Sequence, residues 1–168
     1  MSRADWRSAL AEAIGVFTLV LTGCGAIVVD QQTAALGHVG VALVFGLVIS
    51  VMVLATGHVS GAHLNPAVTL AFWSLRRIGV KQATIYFVAQ AVGAVIGAVA
   101  LGVLFPVDRG TLGATVPAGS AGQSLLLETL LTATLMFVIV AVATDARAER
   151  ALAAPAIGGT VALGALWG

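Results

Sequence analysis

The chain has 168 residues, of which 60% are hydrophobic and 9% charged, with a formal net charge of +1 and a mean hydropathy of +1.07. Soluble domains carry about 25% charged residues, so this composition excludes an ordinary soluble protein and indicates an integral membrane protein. A nearly neutral chain also lacks the basic excess of a nucleic-acid-binding protein, so no nucleic-acid partner is expected.

Uncharged runs predict an all-α membrane protein with five spans and one half-helix. The predicted spans are residues 9–29, 38–56, 83–105, 123–143 and 153–168, and the half-helix covers residues 66–75. The last span has about 16 residues, fewer than the roughly 20 that a bilayer crossing needs. The first span is too long for a typical signal peptide, so we expect it to be retained.

The most informative stretch is residues 57–67, GHVSGAHLNPA, inside an uncharged run from Gln31 to Leu75. That run is 45 residues long, too long for a single crossing of a hydrocarbon core about 30 Å thick, so it must break. Asn65 is a favourable N-cap and Pro66 a favourable first helical residue, so a new helix starts there. Irregular backbone at membrane depth is tolerated only beside a cavity or inside protein. The sequence therefore predicts a re-entrant loop that lines a pore.

The loop charges predict the orientation in the membrane. Threading five spans places seven basic residues on one side and Arg109 alone on the other. Basic loops are usually cytoplasmic, so the N-terminus is predicted to be cytoplasmic and the half-helix to enter from that side. The seven residues are Arg3, Arg7, Arg76, Arg77, Lys81, Arg147 and Arg150.

Two segments recur in the same order and predict an inverted repeat. Glu12 has a counterpart in Glu128, 116 residues later, and residues 41–43 (VAL) recur as residues 161–163, 120 residues later. Each unit would contain three full spans, an odd number, so the second copy would start on the opposite side of the membrane. Inverted repeats of this kind form their binding sites at the midplane, between the two halves. We interpret residues 1–168 as one domain, with a first repeat at about 1–107 and a partial second repeat at about 120–168. The counterpart of Asn65 would fall near position 185, so we expect the chain to be C-terminally incomplete.

The predicted half-helix start has the chemistry of a pore. Its free N–H groups and partial positive charge would repel cations, and the Asn65 amide could donate to a passing oxygen. An extended backbone before it would offer carbonyl acceptors, which suits a neutral hydrogen-bonding solute. The candidate pore residues from this argument are Gly61, Ala62, His63, Leu64, Asn65, Pro66 and Ala67.

Glu12 and Glu128 are acidic residues within spans, where each costs about 2.5–3.5 kcal/mol. Their matched positions favour a supporting role, in which each carboxylate accepts hydrogen bonds from the loop of its own half; a proton relay is the alternative. His58 and His63 could line or gate the pore or support the loop. We assign loop support to His58 and a place on the pathway, through its carbonyl, to His63. No metal site or cofactor is expected.

These residues resemble the major intrinsic protein family, the aquaporins and glycerol facilitators, over essentially the whole chain. The matching motifs are Ala11-Glu12 with Gly15 and Phe17, residues 40–43 (GVAL) with Phe45-Gly46, the loop at residues 57–69, Ala89-Gln90 with Gly93-Ala94, and Glu128. The resemblance implies six spans, two half-helices that meet at paired Asn-Pro-Ala motifs, one pore per subunit, a homotetramer and passive transport without a cofactor.

The resemblance also implies a selectivity filter that includes Phe45 and, on the fifth helix, Ala165. A small residue at Ala165 would admit glycerol-sized solutes. The second Asn-Pro-Ala motif, the filter arginine and the sixth helix have no match in these 168 residues.

The expected function is a passive channel for water and small neutral solutes such as glycerol in a cell (inner) membrane, rather than an enzyme. Three alternatives stay open. The chain could be a non-conducting fragment of such a channel. It could be an ion-coupled transporter with broken helices, although few ionisable residues are available. An intramembrane enzyme using His58, His63 or Cys24 is a third, and no nucleophile–base spacing supports it.

Overall fold

The computed structural model describes residues 1–105, 112–144 and 147–168, and the regular structure within them is helical. Four helices, α1, α2, α4 and α5, are long and apolar enough to cross a membrane, whereas α3 has 9 residues and α6 has 15. The predicted all-α membrane fold with one half-helix is confirmed. Arg109 and the predicted end of the first repeat near residue 107 lie outside the described residues. The helices are α1 Arg3–Thr33, α2 Gly37–Ser60, α3 Pro66–Ser74, α4 Val80–Leu104, α5 Ala121–Thr144 and α6 Ala153–Trp167.

Two helices, α1 and α2, differ from their predicted bounds by four residues or more, and the others by three or fewer at the ends that were predicted. Helix α1 is 31 residues long and includes a π-helical turn at Val20–Cys24, which no sequence pattern predicted. Helix α2 continues to Ser60 rather than ending near residue 56, because Gly57 is tolerated within it. It ends where Gly61 takes a left-handed φ of 86°, a conformation that glycine adopts without a steric penalty.

Small residues bring the helices together in two pairs. On α4, a Cβ added at Gly93 would collide with the carbonyl oxygen of Ala13, and one added at Gly97 would lie 3.0 Å from the carbonyl oxygen of Phe17. Between α2 and α6, a Cβ added at Gly46 would lie 2.6 Å from the carbonyl oxygen of Gly158. Lipid competes with apolar side chains for helix surfaces, so close backbone approach is a main source of helix association in membranes.

The half-helix α3 is anchored by its apolar side. Val68 forms a buried cluster with Ile139 of α5 and Ile157 of α6. At the starts of α1 and α4, Asp5 and Lys81 form an ion pair with an N–O distance of 2.7 Å. The starts of α1 and α4 therefore lie at the same end of the helices.

Candidate functional site

A cavity of about 730 Å³ lies between α2, α3, α5 and α6. One side is polar and consists of His58 and the loop at residues 61–65. The other side is mainly aliphatic and includes Ile49, Val53, Leu135, Ile139, Ile157 and Val161.

The half-helix begins beside this cavity as its local sequence predicts. Asn65 has extended backbone angles, φ −154° and ψ 128°, and its Oδ1 accepts a hydrogen bond from the Ala67 N–H at 2.8 Å, while Pro66 is the first helical residue. The cap uses only Oδ1. The side-chain NH₂ of Asn65 has no hydrogen-bond partner among residues 1–105, 112–144 and 147–168. Asn65 lines the cavity, so it offers a free donor at the helix start; Pro66 and Ala67 are exposed and are not among the lining residues.

The loop before the half-helix is not extended, contrary to our expectation. Gly61, Ala62 and Leu64 have φ values of 86°, 49° and 51°. Non-glycine residues rarely adopt this left-handed region, and each instance costs of order 1–3 kcal/mol. Such a backbone persists only where surrounding contacts hold it.

Those contacts come from the carboxylate of Glu12, which is fully buried. Its Oε1 accepts hydrogen bonds from the Ser60 hydroxyl at 2.6 Å and the His63 N–H at 2.9 Å. Its Oε2 accepts from the Leu64 N–H at 2.8 Å and from Nε2 of Gln90 at 2.8 Å. Four donors surround the two oxygens, so the carboxylate acts as an acceptor only.

The Glu12 contacts also set the direction of the loop carbonyl groups. In a trans peptide the C=O points opposite to the N–H of the next residue. Because the N–H groups of His63 and Leu64 point to Glu12, the carbonyls of Ala62 and His63 point away from it. Both residues line the cavity, and no residue in the described part of the chain donates to these two carbonyls. Both carbonyls therefore keep their acceptor capacity within the described structure.

Four residues of this network were not among the site residues predicted from the sequence: Ser60, Thr69, Tyr86 and Gln90. The Tyr86 hydroxyl donates to the Ser60 carbonyl, and Nε2 of Gln90 bridges Glu12 to Thr69 Oγ1, at 3.0 Å from the latter. A signal was present in the sequence, since Tyr86 and Gln90 lie on one stripe of α4 with Gly93. Polar residues at helical spacing beside a small-residue packing face indicate a buried polar contact.

His63 and His58 have different surroundings. His63 is buried, and its Nδ1 lies 3.1 Å from Thr69 Oγ1. His58 is exposed in the last turn of α2, lines the cavity, and has no hydrogen-bond partner among the residues that the structure describes. The loop support that we expected from His58 is therefore not seen in these residues.

The structure places Glu128 apart from the cavity. Glu128 is exposed and lies in a shallow pocket with Thr129, Thr132 and Met136. It has no hydrogen bond or ion pair within residues 1–105, 112–144 and 147–168.

Of the two predicted filter residues, Phe45 and Ala165, one lines the cavity and the other does not. Phe45 lines the cavity and packs on α1, where a Cβ added at Gly23 would lie 2.5 Å from its ring. Ala165 is half-buried and is not among the residues that line the cavity. Val161, one helical turn earlier on α6, lines the cavity instead.

Comparison with known proteins points to one family. The model of the family described as "Major intrinsic protein" matches residues 1–168. The chain is 46% identical to "Aquaporin NIP1-1" of Oryza sativa subsp. japonica over 158 residues, which are 94% of this chain and 56% of that protein. It is 41% identical to "Nodulin-26" of Glycine max over 160 residues, which are 95% of this chain and 59% of that protein. The chain thus spans little more than half the length of these relatives.

A solved structure is similar in fold. The X-ray structure of the aquaglyceroporin from Plasmodium falciparum superposes with a TM-score of 0.77 and 25% sequence identity, over 96% of this chain and 70% of that one. The family match covers every residue, and the fold and the re-entrant loop agree with it. This chain is an integral membrane protein that belongs to the major intrinsic protein family.

Proposed function

We propose that this chain forms part of the wall of a passive channel for water and small neutral solutes. The observation that carries the proposal is the start of α3, where the Asn65 amide and the carbonyls of Ala62 and His63 belong to residues that line one cavity and have no partners among the described residues. Water and hydroxyl groups both donate and accept, so they can exchange hydrogen bonds with this side of the cavity. A helix N-terminus carries partial positive charge and repels cations, an effect already described for aquaporin-type pores.

The supporting residues argue for a channel rather than an ion-coupled transporter. A coupling site built on Glu12 would need a carboxylate that a proton or ion can reach from the cavity. Glu12 is fully buried and its two oxygens accept four hydrogen bonds, so we propose that it holds the loop rather than relaying protons.

Orientation and assembly belong to the same proposal. We infer a cytoplasmic N-terminus from the seven basic residues on one predicted side, and the Asp5–Lys81 ion pair supports placing the starts of α1 and α4 at that side. A homotetramer in a cell membrane is what family membership suggests for the whole protein.

Water flux into proteoliposomes tests the channel proposal. One sample holds residues 1–168, and a second holds a chimera in which the matching C-terminal part of the rice relative follows Gly168. We expect the chimera to raise the rate of osmotic shrinkage without any ion gradient. Residues 1–168 alone should add little flux, because one half-helix leaves Asn65, Pro66 and Ala67 exposed.

Each sample of that assay can contradict the proposal. A chimera whose flux requires a proton or sodium gradient would establish the transporter alternative. Strong water flux through residues 1–168 alone would show that a second half-helix is unnecessary.

Selectivity for glycerol-sized solutes is the finer part of the proposal. Phe45 offers an aromatic surface to the carbon edge of a polyol, and a small fifth-helix residue would leave room for it. In the chimera we expect Ala165→His to lower glycerol flux more than water flux. Val161→His is the matched variant, because Val161 lines the cavity and Ala165 does not. If only Val161→His changes the glycerol-to-water ratio, the filter position on α6 is Val161.

A further inference from the structure

His63 presents a rigid ring to the cavity. The imidazole lies between the rings of Phe72, at a centroid distance of 4.8 Å, and Tyr86, at 5.0 Å and nearly perpendicular. Its Nδ1 lies 3.1 Å from Thr69 Oγ1. We infer that Thr69, held by Gln90, keeps His63 in the neutral Nε2–H tautomer, so that the ring is a permanent hydrogen-bond donor to solutes in the cavity.

Gln90 fixes the role of Thr69 and is itself buried, with 1% exposure. Its Nε2 donates one hydrogen to Glu12 Oε2 at 2.8 Å and the other to Thr69 Oγ1 at 3.0 Å. The opposite amide orientation would place Oε1 against the carboxylate of Glu12, where two acceptors would face each other. Thr69 Oγ1 is therefore already an acceptor.

Thr69 must then donate its own hydroxyl hydrogen elsewhere. Thr69 is fully buried, so water cannot accept this hydrogen, and His63 Nδ1 is its remaining partner among the described residues. If His63 carried its proton on Nδ1, both neighbours would donate to Thr69 Oγ1 and the hydroxyl hydrogen would be buried without an acceptor. Native structures rarely contain such groups.

Thr69 differs from most other helical threonines in the acceptor of its hydroxyl group. Thr56 and Thr160 donate their hydroxyls to the carbonyl oxygens four residues earlier, at 2.8 Å in both cases, and most helical threonines of this chain do the same. Thr69 forms no such bond, although it lies within α3. Its hydroxyl is turned toward His63 and Gln90 instead.

The other ring nitrogen of His63 is accessible. Nε2 has no hydrogen-bond partner among residues 1–105, 112–144 and 147–168. Among the side-chain N and O atoms of these residues that are buried, Gln90 Oε1 is the one without a partner. His63 Nε2 also has no partner but is not in that buried class, so it is accessible. His63 lines the cavity, so solvent or solute reaches Nε2 from there.

This assignment defines what the polar side of the cavity can bind. The carbonyls of Ala62 and His63 accept, whereas Nε2–H of His63 and the NH₂ of Asn65 donate. A neutral solute with donor and acceptor on one edge, such as water or a polyol, matches this alternation. The use in transport rests on the proposed function, but the tautomer does not.

Nitrogen-15 NMR of the histidine rings in lipid bilayers tests the tautomer without requiring conduction. The chain has three histidines, so His38→Gln and His58→Gln leave His63 as the single labelled ring. We expect Nε2 protonated and Nδ1 unprotonated, with at least a tenfold excess over the other tautomer, the ratio that about 1.4 kcal/mol supports. A protonated Nδ1, in either the other tautomer or the imidazolium, would overturn the inference.

Two substitutions at Thr69 distinguish the effect of its hydroxyl group on the His63 tautomer from the effect of side-chain packing. Thr69→Val keeps the shape but removes the donor, so the excess of Nε2–H should fall at least severalfold. Thr69→Ser keeps the hydroxyl and should retain the wild-type spectrum. Unchanged tautomers in Thr69→Val would show that Thr69 does not set the ring. If Thr69→Val does not fold, the spectra of the parent and of Thr69→Ser still decide the proton position.

Discussion

Glu12 and Glu128 occupy matching positions in the sequence, 116 residues apart, yet they have opposite surroundings. Glu12 is fully buried and accepts four hydrogen bonds, whereas Glu128 is exposed and has no partner within residues 1–105, 112–144 and 147–168. Three of the four donors to Glu12 come from Ser60, His63 and Leu64, about 50 residues further along the chain. A carboxylate within a transmembrane span can therefore hold a loop in place only where that loop donates hydrogen bonds to it.

The helices that carry the two carboxylates differ in the same way. In an apolar stretch of 18 residues on each helix, 39% of α1 is buried, against 6% of α5. The contact of α1 with Gly93 and Gly97 of α4 brings Gln90 to Glu12. Close helix packing and polar satisfaction are thus coupled in the first half of the chain.

The largest expected effect comes from Glu12→Gln. The amide keeps one acceptor oxygen but turns an NH₂ toward two of the four donors, which leaves them unpaired. Each buried unpaired donor costs about 1–3 kcal/mol, so two of them should lower the free energy of unfolding by about 2–6 kcal/mol. Denaturant titration in detergent micelles measures this change.

Glu128→Gln is the matched control for that measurement. Because Glu128 is exposed, the change should stay within about 0.5 kcal/mol. Equal losses in the two variants would contradict the comparison. Unchanged stability of Glu12→Gln together with lost flux in the chimera would favour a proton relay.

Ser60→Ala should have a smaller effect. The Ser60 hydroxyl donates to Glu12 and accepts from the Ala62 N–H at 3.0 Å, so its removal loses a charge-assisted bond and leaves that N–H unpaired. We expect a loss of about 1.5–3 kcal/mol in the same titration. Ser74→Ala serves as the control, because the Ser74 hydroxyl is exposed and, within the described part of the chain, bonds only to the carbonyl of Ala71. Comparable losses would mean that the Ser60 bonds are not what stabilises the loop.

Gly93→Ala should be the mildest of the three changes at the Glu12 site. The added methyl meets the backbone of Ala13 and would force α1 and α4 apart, at about 1–3 kcal/mol. Gly102→Ala, on the same helix, has open space and should be neutral or stabilising by up to about 1 kcal/mol. Thermal unfolding in detergent compares the two variants, and a Gly93→Ala protein as stable as Gly102→Ala would exclude the close contact.

Local chemistry was enough to predict several parts of this protein. Asn65 and Pro66 predicted the start of the half-helix within one residue, because capping and a fixed proline φ depend only on neighbours in the chain. Helix α2 ends four residues later than its sequence predicts, because a glycine such as Gly57 can also lie inside a helix. Only the left-handed φ of Gly61 ends α2.

Distant contacts decided the rest of the site. The stripe that Tyr86 and Gln90 form with Gly93 indicates a buried polar contact but not its partners, since Ser60 and Glu12 lie 26 and 78 residues away along the chain. Matching sequence positions predicted a supporting role for both Glu12 and Glu128, but a hydrogen bond also needs a donor within about 3 Å. The structure supplies such donors to Glu12, whereas support by Glu128 of the loop predicted near position 185 stays a prediction. Composition and periodicity specify which residues are polar within the membrane, whereas packing of separate helices specifies which of them meet.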